Sequence, residues 1–123
     1  MRKLWITFSL LCCALLCPGI VLSQGEIVVA STSWAAAFAR GAGASKVQIL
    51  APANLQDPSR YELTANDLAR VRSARWVIYS GDERFADLLV QAVGDASRLL
   101  KIRTENTPEN IARETEVIAV ALG

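Results

Sequence analysis

The sequence predicts an α/β domain built on a mostly parallel four-stranded sheet with helices on both faces. Short apolar runs rich in β-branched residues alternate with segments of helical periodicity, and this spacing implies βαβ crossovers. The run at residues 75–79 is nearly all apolar, as in a strand covered on both faces. The chain has 123 residues, of which 52% are hydrophobic and 20% are charged, and this composition suits one globular domain.

A separate N-terminal segment precedes the predicted domain. Arg2 and Lys3 form a charged start, residues 4–16 form an apolar core, and small or tolerated residues lead up to Ser23. The apolar run is short for a membrane span and is followed by a Pro-Gly pair. We therefore predict a cleavable export signal over residues 1–23, which leaves residues 24–123 as a single domain in the periplasm or outside the cell.

All three cysteines lie within this segment, at positions 12, 13 and 17. Cleavage after Ser23 would leave a domain without disulfides or thiolate ligands. A lipoprotein signal is the minor alternative, in which one cysteine becomes a lipid-bearing N-terminus. Such signals carry a small residue before the cysteine, whereas Leu11 and Leu16 stand there in this chain.

The first half of the domain contains two predicted strands and one helix. Residues 26–30 form a β-branched run that ends in a Ser-Thr-Ser cap, and Trp34 and Phe38 then recur at helical spacing. The Gly-Ala-Gly sequence at residues 41–43 stops this helix. Residues 46–50 form the second strand, and the prolines and polar residues that follow predict a long loop.

A capping box predicts where the second helix begins. Thr64 is followed three residues later by Asp67, which stands in for the usual glutamate. Residues 75–79 form the third strand, and a Ser-Gly-Asp turn leads into a helix whose apolar positions run from Phe85 to Val93 before Gly94 ends it.

The last strand–helix unit starts with a strand candidate at residues 97–102. Thr107 and Pro108 form a favourable N-cap and first-turn pair for the final helix. Helical spacing predicts an inner face made of Ile111, Thr115, Ile118 and Leu122.

Ligands of parallel α/β sheets bind at the carboxyl ends of the strands, which here are followed by residues 31–33, 51–62 and 80–83. The chain has no histidine, which excludes Ser–His and Cys–His machinery and imidazole-based zinc sites. Oxygen ligands remain, and they suit acid–base work or a hard divalent cation. The acidic candidates are Asp57, Glu62, Asp67, Asp82, Glu83 and Asp87.

Most of these carboxylates also have a structural interpretation. Asp67 caps a helix, Asp82 and Glu83 favour a helix N-terminus, and Asp57 fixes a turn before a proline. Arg60, in the middle of the loop, is a candidate for contact with an anion or substrate. We expect the aromatic residues to pack in the core instead of forming a stacking platform; they are Trp34, Phe38, Trp76 and Phe85.

The charge distribution argues against nucleic acid as a partner. The net charge is +1, from 13 basic and 12 acidic side chains, and these are spread along the chain with no basic stripe.

The long loop and the following helix carry a family resemblance. Residues 57–67 read D-P-S-R-Y-E-L-T-A-N-D, which resembles the D-P-H-x-Y-E-P-T-P-S-D signature of zinc/manganese-type solute-binding proteins of bacterial ABC transporters. The similarity continues without a gap through residues 68–81, which are similar to the family's next helix and its A-D-L-V-F-Y-N-G strand and turn. Residues 28–33 resemble the family's opening strand, so that the resemblance covers residues 27–93.

The resemblance implies one lobe of a periplasmic binding protein that captures a divalent metal, as cargo, between two α/β lobes and hands it to a membrane permease. The first metal ligand of the family falls on Ser59, whose neutral hydroxyl is a weak ligand for transition metals. The family's second histidine segment has no counterpart beyond a similarity of residues 106–110 to its D-P-x-N end. The ligand-edge candidates are Asp57, Ser59, Arg60, Tyr61, Glu62 and Asp82.

Three functions follow from the sequence. The first is an exported solute-binding component of an ABC transporter, of the metal-uptake type and truncated to its N-terminal lobe, whose permease partner lies in the inner membrane. The second is a small periplasmic accessory or interaction module that does not bind metal. The third is a hydrolase built on the acidic loop, which is the least supported because no nucleophile–base pair is identifiable. We therefore expect a protein that is not an enzyme and that self-associates through the lobe edge near Trp34 and Tyr61.

Overall fold

The computed structural model of the protein describes residues 25–123, and the predicted export signal lies outside this part of the chain. Four strands alternate with four helices, and two short 3₁₀ turns cover Pro58–Arg60 and Ala96–Arg98. In chain order the elements are β1 (Ile27–Ala30), α1 (Ser33–Gly41), β2 (Lys46–Ile49), α2 (Ala65–Ser73), β3 (Trp76–Tyr79), α3 (Ala86–Val93), β4 (Leu99–Lys101) and α4 (Pro108–Leu122).

The four strands form one parallel sheet in the order β2-β1-β3-β4. Val28 of β1 pairs with Val47 on one side and with Trp76 on the other, and Val77 of β3 pairs with Leu99. The predicted α/β class with a four-stranded parallel sheet is confirmed. Because every strand runs in the same direction, the loops that follow the strands all lie along one edge of the sheet, which we call the carboxyl edge.

Alternate residues of the strands build two apolar layers, one on each face of the sheet. Val28 and Ile78 point to the face covered by α1 and α4, where Ile118 packs against them. Val29 and Val77 point to the opposite face, which is covered by α2 and α3. Helices therefore cover both faces, and this explains why the two central strands, β1 and β3, carry no polar alternation.

Helix α1 begins and ends as the sequence predicts, but one of its aromatic residues does not enter the core. Thr32 caps the helix through a 3.3 Å bond from the Ala35 amide, and Gly43 takes a φ of 101° just beyond its end. Phe38 is buried, whereas Trp34 is 42% exposed, so the prediction that Trp34 packs in the core is wrong. Its indole Nε1 instead donates to the Thr104 carbonyl at 3.0 Å, because the loop before α4 crosses over the start of α1.

The inner face of α4 differs from the prediction near the start of the helix, whereas Ile118 and Leu122 pack at the core as predicted. Asn110, Glu114 and Ile118 are buried, while Ile111 is 38% exposed. The predicted role of Ile111 is therefore wrong, whereas Ile118 is confirmed as a core residue. Asn110 points inward at the helix start because the loop before α4 folds back on the helix and the Asn110 amide donates to the carbonyls of Arg103 and Glu105.

Arg98 ties two helices together at the edge of the sheet opposite the carboxyl edge. Its guanidinium donates to the carbonyls of Val93 at 2.8 Å, Ala74 at 2.7 Å and Arg72 at 3.2 Å, which lie at the ends of α3 and α2. Gly94, in the left-handed conformation with a φ of 68°, ends α3 as predicted. Among the helices of residues 25–123, none is long and apolar enough to cross a membrane.

Candidate functional site

The loop between β2 and α2 carries most of the predicted site residues and lies at the carboxyl edge. Asp57 caps the 3₁₀ turn of this loop, and its Oδ1 accepts bonds from the Ser59 amide at 3.2 Å and the Ser59 hydroxyl at 2.5 Å. The Ser59 carbonyl accepts a 2.9 Å bond from the Arg84 amide, in the loop that follows β3. The structure thus brings Asp57 and Ser59 together and anchors them to the neighbouring loop.

A network centred on the buried carboxylate of Asp67 holds the second half of this loop. The Asp67 Oδ2 atom accepts bonds from the Tyr61 hydroxyl at 2.9 Å and from the amide and hydroxyl of Thr64, each at 2.8 Å. Arg70 contacts the other oxygen, and its guanidinium also donates to the Ile49 carbonyl at 3.3 Å. The predicted capping box is confirmed and carries two additional partners, Tyr61 and Arg70.

The protonation states in this network follow from its contacts. Burial alone raises the pKa of Asp67, but the hydrogen bonds from Thr64, Arg70 and Tyr61 outweigh burial and lower the pKa from 3.8 to about 2. The hydrogen bond to Asp67, helped by burial, raises the pKa of the Tyr61 phenol. Asp67 is therefore charged at neutral pH, and it acts as a structural anchor because its oxygens are already bonded to Tyr61, Thr64 and Arg70.

Arg60 and Glu62 extend away from this network into a shallow hollow. Arg60, Glu62 and Arg84 line it, together with the Tyr61 ring, which packs edge-on against Phe85 with centroids 6.2 Å apart. The hollow has a volume of about 340 Å³. Arg60 and Glu62 are exposed, so they are accessible to a partner or solute.

Glu83 is buried where the sheet divides between β1 and β3. The chain leaves β1 toward β2 and leaves β3 toward β4, and such a division opens a crevice at the carboxyl edge. Glu83 is only 4% exposed and fills this position: it accepts bonds from the Ser31 hydroxyl, the Ser80 amide at 3.1 Å and the Gly81 amide at 2.7 Å. Burial opposes its ionisation, but these bonds prevail and lower the pKa of Glu83.

Asp82 lies in a second hollow, which is separate from the Ser59 loop. This β3–β4 hollow has a volume of about 560 Å³ and lies beyond the carboxyl ends of the two strands. Its lining residues are Ser80, Asp82, Lys101, Ile102, Arg103, Thr104 and Glu105. Five of the six predicted ligand-edge residues therefore lie together in the loop between β2 and α2, whereas the sixth, Asp82, lies apart from them in the β3–β4 hollow.

The described part of the chain contains no group of three or more His, Cys, Asp or Glu side chains arranged to hold a metal ion. At the Ser59 position the available donors are the Ser59 hydroxyl and the Asp57 carboxylate, and these two bond to each other. A hydroxyl and one carboxylate suit a hard cation better than a transition metal.

Sequence reasoning missed the central role of Glu83 and all of the β4 side of the second hollow. The sequence indicates Glu83 as one of six acidic candidates and as a residue that favours a helix N-terminus, but it does not indicate the contact with Ser31, because that contact depends on β1 and β3 lying side by side in the sheet. Lys101 and Arg103 carried no signal of their own. They become site residues only because β4 lies next to β3.

Comparison with known proteins adds no relative: no protein-family model, curated protein or solved structure matches this chain.

Proposed function

We propose that residues 25–123 form the ligand-binding lobe of an exported solute-binding protein that serves an ABC transporter of the zinc/manganese type. The proposal rests on the resemblance of residues 57–81 to the signature of that family and on where those residues lie in the fold. Its partner is the inner-membrane permease, and its cargo is a divalent metal ion. The export signal at residues 1–23 belongs to the same proposal.

The observation that carries the proposal is the network around Asp67. Three residues shared with the family signature, Tyr61, Thr64 and Asp67, are joined by hydrogen bonds of 2.8 to 2.9 Å. Their bonds hold the loop at the carboxyl edge, where parallel α/β sheets bind ligands. Residues that are spaced as in the signature thus perform one joint task, which is to hold the segment of the loop that directly follows the Ser59 turn.

The chemistry of the Ser59 turn determines how strongly this lobe holds metal. The Ser59 hydroxyl is a neutral, weak donor and is already bonded to Asp57 at 2.5 Å. An imidazole at the same position would place a nitrogen donor beside the Asp57 carboxylate, and nitrogen is a preferred ligand of zinc. We therefore propose that the native lobe binds zinc and manganese weakly and that Ser59→His strengthens the binding.

The test is a calorimetric titration of zinc and manganese into the protein purified after expression of the full chain. The chain provides a matched control, because Asp95 caps an equivalent turn and accepts bonds from the Ser97 amide at 2.9 Å and the Ser97 hydroxyl at 2.7 Å. This second turn precedes β4 and therefore lies at the opposite edge. Ser97→His creates the same pair of side chains away from the proposed site.

We expect Ser59→His to bind zinc at least about tenfold more tightly than Ser97→His, a difference of about 1.4 kcal/mol. Equal affinities in the two variants would show that an Asp–His pair alone explains the binding and would overturn the metal-binding lobe. Native binding tighter than about 1 μM would contradict the weak-donor argument for Ser59. Fractionation of a Gram-negative host that expresses the full chain should recover the processed protein, 123 − 23 = 100 residues long, in the periplasm.

The second candidate is a periplasmic interaction module without metal binding. It is supported by the mutual engagement of Asp57 and Ser59, which leaves the turn without a strong free donor. The two candidates differ in the same experiment, because the module predicts that Ser59→His gains no more affinity than Ser97→His.

A further inference from the structure

We propose that the β3–β4 hollow binds a small zwitterionic solute of the amino-acid class. The carboxylate of the solute would lie against Lys101 and Arg103, and its ammonium group against Asp82 and Glu105. This inference goes beyond the proposed function, because it assigns to the same domain a second ligand site, which is separate from the Ser59 turn and from the proposed metal cargo.

The position and size of the hollow suit a ligand of this kind. It lies beyond the carboxyl ends of β3 and β4, which are neighbouring parallel strands. Its volume of about 560 Å³ falls within the usual range for small-molecule pockets, which is roughly 300 to 1,000 Å³. The crevice between β1 and β3 is already filled by the Glu83 carboxylate, so the β3–β4 hollow is the roomier part of the carboxyl edge.

The hollow presents charges of both signs that are poorly compensated by the protein. Within residues 25–123, neither Lys101 nor Asp82 takes part in an ion pair, and the pair between Arg103 and Glu105 is long, at 3.7 Å, between largely exposed side chains. A purely anionic solute would leave the carboxylates facing it, and a purely cationic solute would face Lys101 and Arg103. A zwitterion compensates both sets of charges at once.

Gly81 allows the Lys101 side chain to lie close to the turn after β3. A Cβ atom on Gly81 would lie 2.5 Å from Cε and 2.8 Å from Nζ of Lys101, and the backbone there has a φ of 90°. The absence of a side chain at Gly81 therefore lets the ammonium group rest over the turn that carries Ser80 and Asp82. This places a positive charge beside that turn, on the lining of the hollow.

The wall formed by residues 103–105 is held rigid from behind. Trp34 Nε1 donates to the Thr104 carbonyl at 3.0 Å, and Asn110 Nδ2 donates to the carbonyls of Arg103 at 2.8 Å and Glu105 at 3.0 Å. Three consecutive carbonyls are thus bonded to side chains of α1 and α4, while the side chains of the same residues line the hollow. A wall fixed in advance loses less entropy when a solute binds.

The inference is tested with ¹⁵N chemical-shift titrations of the protein purified after expression of the full chain. The probes are L-glutamine, N-acetyl-L-glutamine, which lacks the ammonium group, and L-glutaminamide, which lacks the carboxylate. We expect saturable shifts for L-glutamine at the amides of Gly81, Asp82 and Thr104, and affinities at least about tenfold lower for the two singly charged derivatives.

Charge-matched variants locate the binding. The double variant Lys101→Gln with Arg103→Gln should raise the dissociation constant for L-glutamine at least about tenfold. The control is Arg40→Gln with Lys46→Gln, which removes the same charge from exposed positions in α1 and β2, and it should leave the constant within about twofold. Asp82→Asn serves as a second variant on the opposite wall and should weaken binding as well.

Three outcomes would overturn the inference: no saturable shift with L-glutamine, equal affinity for N-acetyl-L-glutamine, or equal weakening by the control variant. The two proposals fail separately. If L-glutamine does not bind while Ser59→His binds zinc more tightly than Ser97→His, the proposed zwitterion site is wrong and the proposed metal-binding lobe is supported. If L-glutamine binds as described while the two histidine variants have equal zinc affinities, the proposed metal-binding lobe is wrong and the proposed zwitterion site is supported.

Discussion

Replacement of Glu83 by glutamine should be among the most destabilising near-isosteric changes in this domain. The Glu83 carboxylate is 4% exposed, and one of its oxygens serves both the Ser31 hydroxyl and the Ser80 amide, while the other serves the Gly81 amide. In Glu83→Gln one of these acceptors becomes an NH₂ donor, so at least one buried backbone N–H loses its partner. That loss costs about 1 to 3 kcal/mol, and the remaining bonds lose their charge assistance.

We therefore expect Glu83→Gln to lower the free energy of unfolding by about 2 to 3 kcal/mol. In a domain of this length, each kcal/mol lowers Tm by roughly 4 to 8 °C. Urea unfolding followed by the fluorescence of Trp34 and Trp76 measures the change. Glu116→Gln is the matched control, because Glu116 is exposed on α4, and it should stay within about 0.5 kcal/mol of the native protein.

The pH dependence provides an independent check on the same reasoning. The pKa of Glu83 is depressed below its ordinary value of 4.5 in the folded protein, because its hydrogen bonds outweigh burial. A depressed pKa contributes stability that is fully present above the unfolded pKa and is lost as the pH falls through the folded pKa. The difference in the free energy of unfolding between the native protein and Glu83→Gln should thus be constant near neutral pH and should become smaller below about pH 4.5. If Glu83→Gln lowers the free energy of unfolding no more than Glu116→Gln does, or if its effect stays the same in acid, the ionised Glu83 carboxylate does not stabilise the fold as argued.

Other predictions concern the remaining anchors of the carboxyl edge. Asp67→Asn should cost about 3 kcal/mol, because it leaves the half-buried Arg70 guanidinium and the Tyr61 phenol without their charged partner, whereas Asp87→Asn at an exposed helix start should cost less than about 1 kcal/mol. The loss of unfolding free energy caused by Asp67→Asn, measured by urea unfolding, should become smaller as the pH drops from 3.8 toward about 2. In this range the folded protein takes up a proton on Asp67, and the stability that the charged carboxylate contributes is lost. A loss that stays constant over this range would contradict the prediction. Asn110→Ala should lower the free energy of unfolding by about 2 kcal/mol, because two backbone carbonyls lose their hydrogen bonds. The same change at exposed Asn106 should lower it by less than about 0.5 kcal/mol. Equal losses in the two variants would contradict the role of Asn110 in holding residues 103–105. Sedimentation velocity should show reversible self-association that Trp34→Ser weakens, and a single monomeric species at every concentration would disprove this.

The elements of the fold were predictable because their signals are local. The capping box of Thr64 and Asp67 fixed the start of α2, and Thr107 with Pro108 fixed the start of α4. Gly94 ended α3 at the predicted residue. The nearly all-apolar run at residues 75–79 predicted a strand covered on both faces, and the two core layers agree with that prediction.

The parts that could not be predicted depend on contacts between distant residues. Trp34 follows the apolar spacing of α1, yet it is 42% exposed because its polar atom bonds a loop 70 residues away. Asn110 reads as a surface residue of α4 until the preceding loop supplies two carbonyls for its amide. Lys101 lines the β3–β4 hollow only because β4 lies beside β3 in the sheet, and nothing in the sequence around Lys101 indicates this strand order.

The clamp formed by Arg98 has a consequence for how the domain opens. A single guanidinium closes the last carbonyls of both α2 and α3, at distances of 2.7 Å to Ala74 and 2.8 Å to Val93. Fraying of either helix at its C-terminal end releases one side of this guanidinium and so loosens the side chain that also holds the other helix. In native-state hydrogen exchange, the amides of α2 and α3 should therefore behave as one cooperative unit, although the two helices are separated in sequence by β3.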